Sequence, residues 1–365
     1  MRGLACVIMF QAHCYASWLT PELKEGQFSK LSQLLATLPA PLFLFLAGVS
    51  VALTTEKLRE KGIARNPVAK QTILRGLEIF GLGLLFRIQE YALGYRWVPW
   101  TDLLRVDILN TLGLSISFLG VLCWLAGGRK LEIARRGSLY GGLATAVLIA
   151  VLTPLLWTTW RPRFLPWPLE SYVNGVHNFN VPQHWLFPLF PWCAFAFVGL
   201  AAGFTLFSDM ARKDEGRFFV RVAGVGAGAI VLALRLEALP VKLYALHDFW
   251  HSDPEFFLLR CGVLLILMAL AYAWCAVGWG QRGFSPVIQL GTTSLLVYWV
   301  HIELVYGVFS ILPKHQCTIG KATIGLSVIF LAMLALSLWK TEAKVKTVRV
   351  LQAGPGPVLP SPAVG

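Results

Sequence analysis

The chain has 365 residues, of which 56% are apolar and only 14% charged, with a mean hydropathy of +0.63. A soluble domain carries about 25% charged residues, so the composition excludes an ordinary soluble enzyme and a disordered chain. The net charge of +13 does not indicate a nucleic-acid binder either, because the Lys and Arg residues cluster in short stretches between long apolar runs, the pattern of membrane topology signals.

A membrane span needs about 20 apolar residues. By that measure about ten runs qualify: 3–19, 33–54, 74–94, 106–126, 138–158, 185–207, 219–238, 257–279, 288–312 and 322–340. The expected fold is therefore all-α, a polytopic helical bundle of about ten transmembrane helices. It forms one domain over residues 1–345, followed by a Pro/Gly-rich, disordered cytoplasmic tail, 346–365.

The first run, opening MRGLACVIMF, lacks the small-residue exit of a signal peptide. It is read as a first helix with almost no N-terminal extension. Helical spacing puts Cys6, Phe10, His13 and Ser17 on one of its faces. The stretch after the second run carries Lys57, Arg59, Lys61, Arg65, Lys70 and Arg75. The third run ends with Arg87 and Glu90, spaced as an i,i+3 pair. The fourth begins TDLLRVDILNTLG, which sets Asp107, Asn110 and Thr111 on one face near its mouth.

Basic residues recur after the fourth run (Arg129, Lys130, Arg135, Arg136), after the sixth (Arg212, Lys213, Arg217), after the eighth (Arg282) and in the tail. These mark the cytoplasmic loops, and an even number of spans then leaves both termini inside. The opposite loops are rich in Trp, His, Asp and Asn, and the longest runs from about 159 to His184. Small residues such as AGVGAGA at 223–229 are spaced for close helix packing. In the ninth run Ser294, Tyr298 and His301 share a face.

Of seven histidines only His13 and His301 fall inside apolar runs. Ionisable groups in hydrocarbon are costly and face the bundle interior or a cavity. At ~1.5 Å per residue, both sit from mid-membrane to the outer half. The seven cysteines form no C-x-x-C and no zinc spacing, so neither a disulfide framework nor a metal site is expected. These features describe a helical bundle with a polar, His-containing cavity opening outward. Such a cavity suits transfer chemistry with His as general base or a transporter's proton relay.

Four stretches, RGLACVIMFQAH (2–13), PAPLFLFLAGVSVAL (39–53), FPLFPWCAFAFVGLAAG (187–203) and LGTTSLLVYWVHIELVYG (290–307), resemble the catalytic-domain family of heparan-α-glucosaminide N-acetyltransferase, and RVDILNTLG (105–113) does so more loosely. In order and spacing the resemblance spans nearly the whole chain. It implies an acyl-CoA donor on the cytosolic side, commonly acetyl-CoA, and a sugar amine or hydroxyl acceptor on the far side. Arg2 and Arg75 are then candidates for the phosphates of the CoA. The sequence departs from the family in three places. The family's acidic residue two before the Arg-Gly is absent or lost upstream, residues 19–32 contain no His, and Thr37 stands near the position of an Asp.

The expected function is acyl transfer from acyl-CoA to a glycan or glycolipid, in a bacterial inner membrane. The catalytic candidates are His13, Asp107 and His301. Asn110, Tyr298, Ser294 and His184 are the substrate-binding candidates, and Arg2 and Arg75 the cofactor-binding ones. No metal and no nucleic acid is expected; membrane lipid is the surrounding partner, and homo-oligomerisation stays open. A transporter or flippase, and a non-catalytic membrane partner in envelope polysaccharide synthesis, remain the alternatives.

Overall fold

The computed structural model describes residues 1–128, 130–175, 187–244, 248–278 and 283–353, with side chains up to residue 343. In chain order the helices are α1 (Arg2–Trp18), α2 (Pro21–Lys24), α3 (Gln27–Ala36), α4 (Pro39–Glu60), α5 (Arg65–Gly94), a 3-10 turn (Trp100–Leu104), α6 (Ile108–Leu125), α7 (Leu131–Trp157) and α8 (Trp167–Asn174). There follow α9 (Leu189–Thr205), α10 (Asp209–Lys213), α11 (Glu215–Glu237), α12 (Pro254–Ala276), α13 (Pro286–Thr292), α14 (Ser294–Val305) and α15 (Ile319–Ala353). The predicted tail lies outside the described residues from residue 354 on.

The all-α class is correct, but the count of about ten spans is not. Among the described residues, six helical stretches are long and apolar enough to cross a membrane: Gln27–Glu60, Trp100–Leu125, Leu131–Trp157, Glu215–Glu237, Pro254–Ala276 and Ile319–Ala343. A seventh is reached only if α13 and α14, bent by 95° at their junction, are taken as one broken span. The other three apolar runs fail for physical reasons. α1 and α9 have 17 residues each, about 25 Å of helix at 1.5 Å per residue, short of a bilayer core of about 30 Å. α5 is long enough at 30 residues, but Arg75, Glu78, Arg87 and Glu90 interrupt its apolar surface. Six spans, like ten, leave both termini on one side, whereas seven do not, so the side of the termini depends on whether the α13–α14 pair crosses.

The chain divides into two compact units. In the first, Gln33–Gly283, backbones approach closely wherever small residues face each other. A Cβ on Gly48 would strike the backbone of Ala196, and one on Gly199 the carbonyl of Phe45, so α4 and α9 touch backbone to backbone. α11 and α12 meet in the same way at Gly226 and Gly262.

One end of this unit is basic. There Glu56, fully buried in the last turns of α4, is ion-paired with Arg135 of α7. Arg135 also holds Glu132 at 3.0 Å and the Phe207 carbonyl at 3.3 Å. Arg59 donates to the Cys123 carbonyl at the end of α6, at 2.7 Å. These arginines, read above only as topology signals, also satisfy helix-end carbonyls.

The second unit joins Arg2–Ser32 to the chain from Phe284 onward. α1 is its axis and packs against α13, α14 and α15. Past α1 the chain pairs briefly with the segment before α15. The Cys317 amide donates to the Trp18 carbonyl at 2.8 Å, and that of His315 to Ser17 at 2.9 Å.

Candidate functional site

The face of α1 that helical spacing singles out is the face that meets α13 and α14. Cys6 Sγ lies 4.0 Å from the Leu290 carbonyl. The Phe10 ring is 5.0 Å from that of His301, and Ser17 Oγ donates to the Val305 carbonyl at 2.8 Å. Between them, His13 Nδ1 is 2.8 Å from His301 Nε2, with the two rings nearly parallel at 3°. His301 is completely buried, whereas His13 keeps partial exposure.

The far nitrogen of His301, Nδ1, is 2.8 Å from the Val297 carbonyl one turn earlier in α14. A carbonyl only accepts, so His301 Nδ1 carries the hydrogen. In the neutral ring Nε2 is then an acceptor, and His13 Nδ1 must be the donor to it. The hydrogen-bond network thus assigns His13 the Nδ1–H tautomer and leaves its Nε2 lone pair unused. Tyr306 stands edge-on to His13 at 5.3 Å between ring centroids, and Tyr298 edge-on to His301 at 5.8 Å. Ser294 begins α14 and is half-buried.

The break before α14 frees backbone and side-chain groups, which α15 satisfies. Thr293 Oγ1 donates to Ser337 Oγ at 2.6 Å. Ser337 itself donates to the Gln289 carbonyl at 3.1 Å, and Gln289 Nε2 donates to Ser337 and Thr341 at 3.0 and 2.9 Å.

Asp107 and Asn110 belong to the first unit, where both are committed to holding the start of α6. Asp107 is its N-cap: Oδ1 accepts from the Leu109 amide at 3.0 Å, and the Asp107 amide donates to Asn110 Oδ1 at 3.1 Å, a reciprocal capping box. Asp107 Oδ2 is 3.2 Å from Arg87, which also holds Glu90 at 3.0 Å. The Asp107 carboxylate is therefore buried and paired, not open as its sequence neighbours imply. Tyr172 of α8 adjoins this cluster. Burial, and then the Asp107 charge, push its phenol up to about 12.

Arg75 is exposed and paired with Glu78 at 2.9 Å on its own helix. Arg2 is exposed at the start of α1. His184 lies outside the described residues. All seven cysteines are free, and six of them are buried. Among the described residues no three His, Cys, Asp or Glu side chains come together as a metal site. Sequence reasoning missed Tyr306, Tyr172 and Arg260. Arg260 was open to discovery, as a lone charge inside an apolar run.

These features define a polytopic helical membrane protein with a hydrogen-bonded histidine pair. The family model for heparan-alpha-glucosaminide N-acetyltransferase, catalytic, matches residues 1–232, and the chain belongs to that family. The match takes in His13, Asp107 and Asn110 and ends before Ser294, Tyr298 and His301, so it is shorter than the resemblance read from the motifs. A search among curated proteins finds no match to the chain.

Proposed function

We propose that the protein is a membrane acyltransferase in a bacterial inner membrane. It transfers an acyl group, acetyl in the first instance, from cytosolic acyl-CoA to the amine or hydroxyl of a sugar or glycolipid on the far side. His13 is the general base. Its Nε2 accepts the proton of the acceptor N–H or O–H as that atom attacks the thioester carbonyl. The new C–N or C–O bond forms, the C–S bond breaks, and the proton passes from His13 to the departing CoA thiolate. His301 is a positioning residue that keeps His13 in the required tautomer. Tyr298 and Ser294 extend the same face of α14. Asp107 and Asn110 act at a remove, by fixing α6.

The observation that carries this reading is the line from the Val297 carbonyl through His301 to His13, with one lone pair left over at the half-exposed end. Membership of an acetyltransferase catalytic family supports the reaction class. The test is twofold. Calorimetry measures acetyl-CoA and CoA binding to the detergent-purified protein. Acetyl transfer to glucosamine is then compared between wild type and His13→Ala. A general base contributes about 10²–10⁴-fold, so the expected result is micromolar CoA binding in both proteins and a loss of at least about 100-fold in turnover. Full activity in His13→Ala sinks the proposal.

Transport is the second reading, and the 95° break between α13 and α14 favours it, because discontinuous helices line transporter sites. Solute uptake by proteoliposomes lacking acyl-CoA supports that reading in place of the first.

A further inference from the structure

Arg260 lies in the second turn of α12 and is only 6% exposed. Every Asp and Glu of the chain is among the described residues, and none forms an ion pair with it. Its Nε is buried with no hydrogen-bond partner. What surrounds the guanidinium is aromatic: the Phe256 ring centroid is 3.8 Å from Cζ and that of Trp192 is 5.5 Å away.

Trp192 belongs to the first turn of α9. Phe190 has non-helical angles (φ −98°, ψ 116°), so the regular helix starts just before Trp192. Arg260 thus sits beside the positive end of one helix and near that of its own. Asp253 and Glu255 stand at the start of α12 and offset that helix end, yet neither is ion-paired with Arg260, so the guanidinium and the start of α9 remain as two positive contributions. Cation–π contacts compensate only part of the cost of burying an unpaired cation. The ring under its face leaves the edge of the guanidinium, where its N–H groups project, for a two-toothed grip on an oxyanion.

We infer that Arg260 anchors an oxyanion-binding site in the first unit, taking the phosphate or carboxylate of a ligand whose apolar portion lies along Trp192 and Phe256. The site differs from the histidine pair in residues and in chemistry, and the inference does not rest on the acyl-transfer reading. A lipid headgroup and a soluble sugar acid or phosphate present the same group to it.

The experiment uses the full chain in a neutral detergent. Inorganic phosphate and glucuronate are titrated at constant ionic strength, with chloride as the control, by calorimetry and by the shift in thermal midpoint. Phosphatidylglycerol is compared with phosphatidylcholine by native mass spectrometry. The expected result is saturable binding of at least one anionic probe. Binding is at least tenfold weaker in Arg260→Lys, which keeps the charge and loses the fork. It is lost in Arg260→Met, which keeps the length and loses the charge. Phosphatidylglycerol binding alone assigns the site to lipid, and phosphate or glucuronate binding assigns it to a soluble ligand. Failure of all three probes to bind wild type overturns the inference, and so does undiminished binding to Arg260→Met. If the Met variant does not fold, Arg260→Lys decides: wild-type affinity there refutes the fork. Acetyl transfer by His13 variants is read separately, so either idea can fail alone.

Discussion

His301 offers the sharpest test of the tautomer argument, because two substitutions separate its roles. His301→Phe keeps a ring among Phe10, Tyr298 and His13 but removes both nitrogens, whereas His301→Gln keeps an acceptor for His13 Nδ1. A neutral hydrogen bond contributes about 0.5–1.5 kcal/mol net, and about 1.4 kcal/mol is tenfold in rate. Losing the 2.8 Å contact to His13 is therefore expected to lower kcat/KM by about 2–12-fold through orientation alone. The loss grows toward the roughly 10⁴-fold seen in hydrolase triads if the wrong tautomer takes over. Gln should retain most of the activity, within about 3-fold of wild type. The assay is steady-state acetyl transfer, with thermal midpoints as a folding control, because a Phe in a ring-packed site can cost about 1–3 kcal/mol of stability by overpacking. Equal losses in the two variants, or less than a twofold loss in Phe, would refute the relay and leave His301 a packing residue.

Three further outcomes follow from the same geometry. Glu56→Gln removes the buried carboxylate of the pair and leaves Arg135 with Glu132 and the Phe207 carbonyl, so the cost should stay below the roughly 3–5 kcal/mol of a fully stranded buried charge. Its midpoint in detergent should fall below that of the double variant Glu56→Gln/Arg135→Met. Ser337→Ala removes the hydroxyl shared by Gln289 and Thr293 and should cost about 1–3 kcal/mol, the penalty for unsatisfied buried groups. Hydrogen exchange at the α13–α14 junction should rise with it, while a Ser337→Thr control stays close to wild type. The third outcome is a pH effect at His315, whose Nδ1 is 2.9 Å from Lys24 Nζ. Burial, and then the Lys24 charge, hold its imidazole below the usual 6.5. A depressed histidine favours the neutral form in the fold, so this tie is intact above pH 6.5 and is lost as pH falls from there through the folded value. Proteolytic nicking between residues 307 and 318 should therefore increase below pH 6 in wild type, and His315→Gln should abolish that pH dependence.

The parts of the site legible in the sequence were those set by helical period. Cys6, Phe10, His13 and Ser17 recur at intervals of three and four, and that face meets α14, where Tyr298 and His301 share a turn. The span count was not legible, because hydropathy measures apolarity and not the length of unbroken helix. α9 is among the most apolar helices in the chain and still has only 17 residues. Gly291 and the Thr292-Thr293-Ser294 run mark a boundary inside residues 288–312, but the 95° bend itself is held by Ser337 and Thr341, which lie 44–52 residues away. Asp107 was misjudged for the same reason. Its neighbour Arg105 is one turn from Asp102 at 3.8 Å, while its partner Arg87 comes from another helix twenty residues earlier.

The bend also explains why a histidine pair exists here at all. α1 touches α13 near its start, where a Cβ on Gly3 would strike the Val287 carbonyl, and touches α14 through Phe10, His13 and Ser17. A straight helix through residues 286–305 would hold its i,i+4 carbonyls in the ladder and could cross α1 closely at only one place. Breaking it at Thr293 gives α1 two contacts and starts a new helix whose second turn carries His301 against His13. The energetic cost of the break falls on the polar groups at the junction, and α15 supplies the hydroxyls that satisfy them. The polar residues of α15 therefore hold the start of α14, the helix that carries His301. On the proposed mechanism, substitutions there should lower the rate of acyl transfer by changing the orientation of His13.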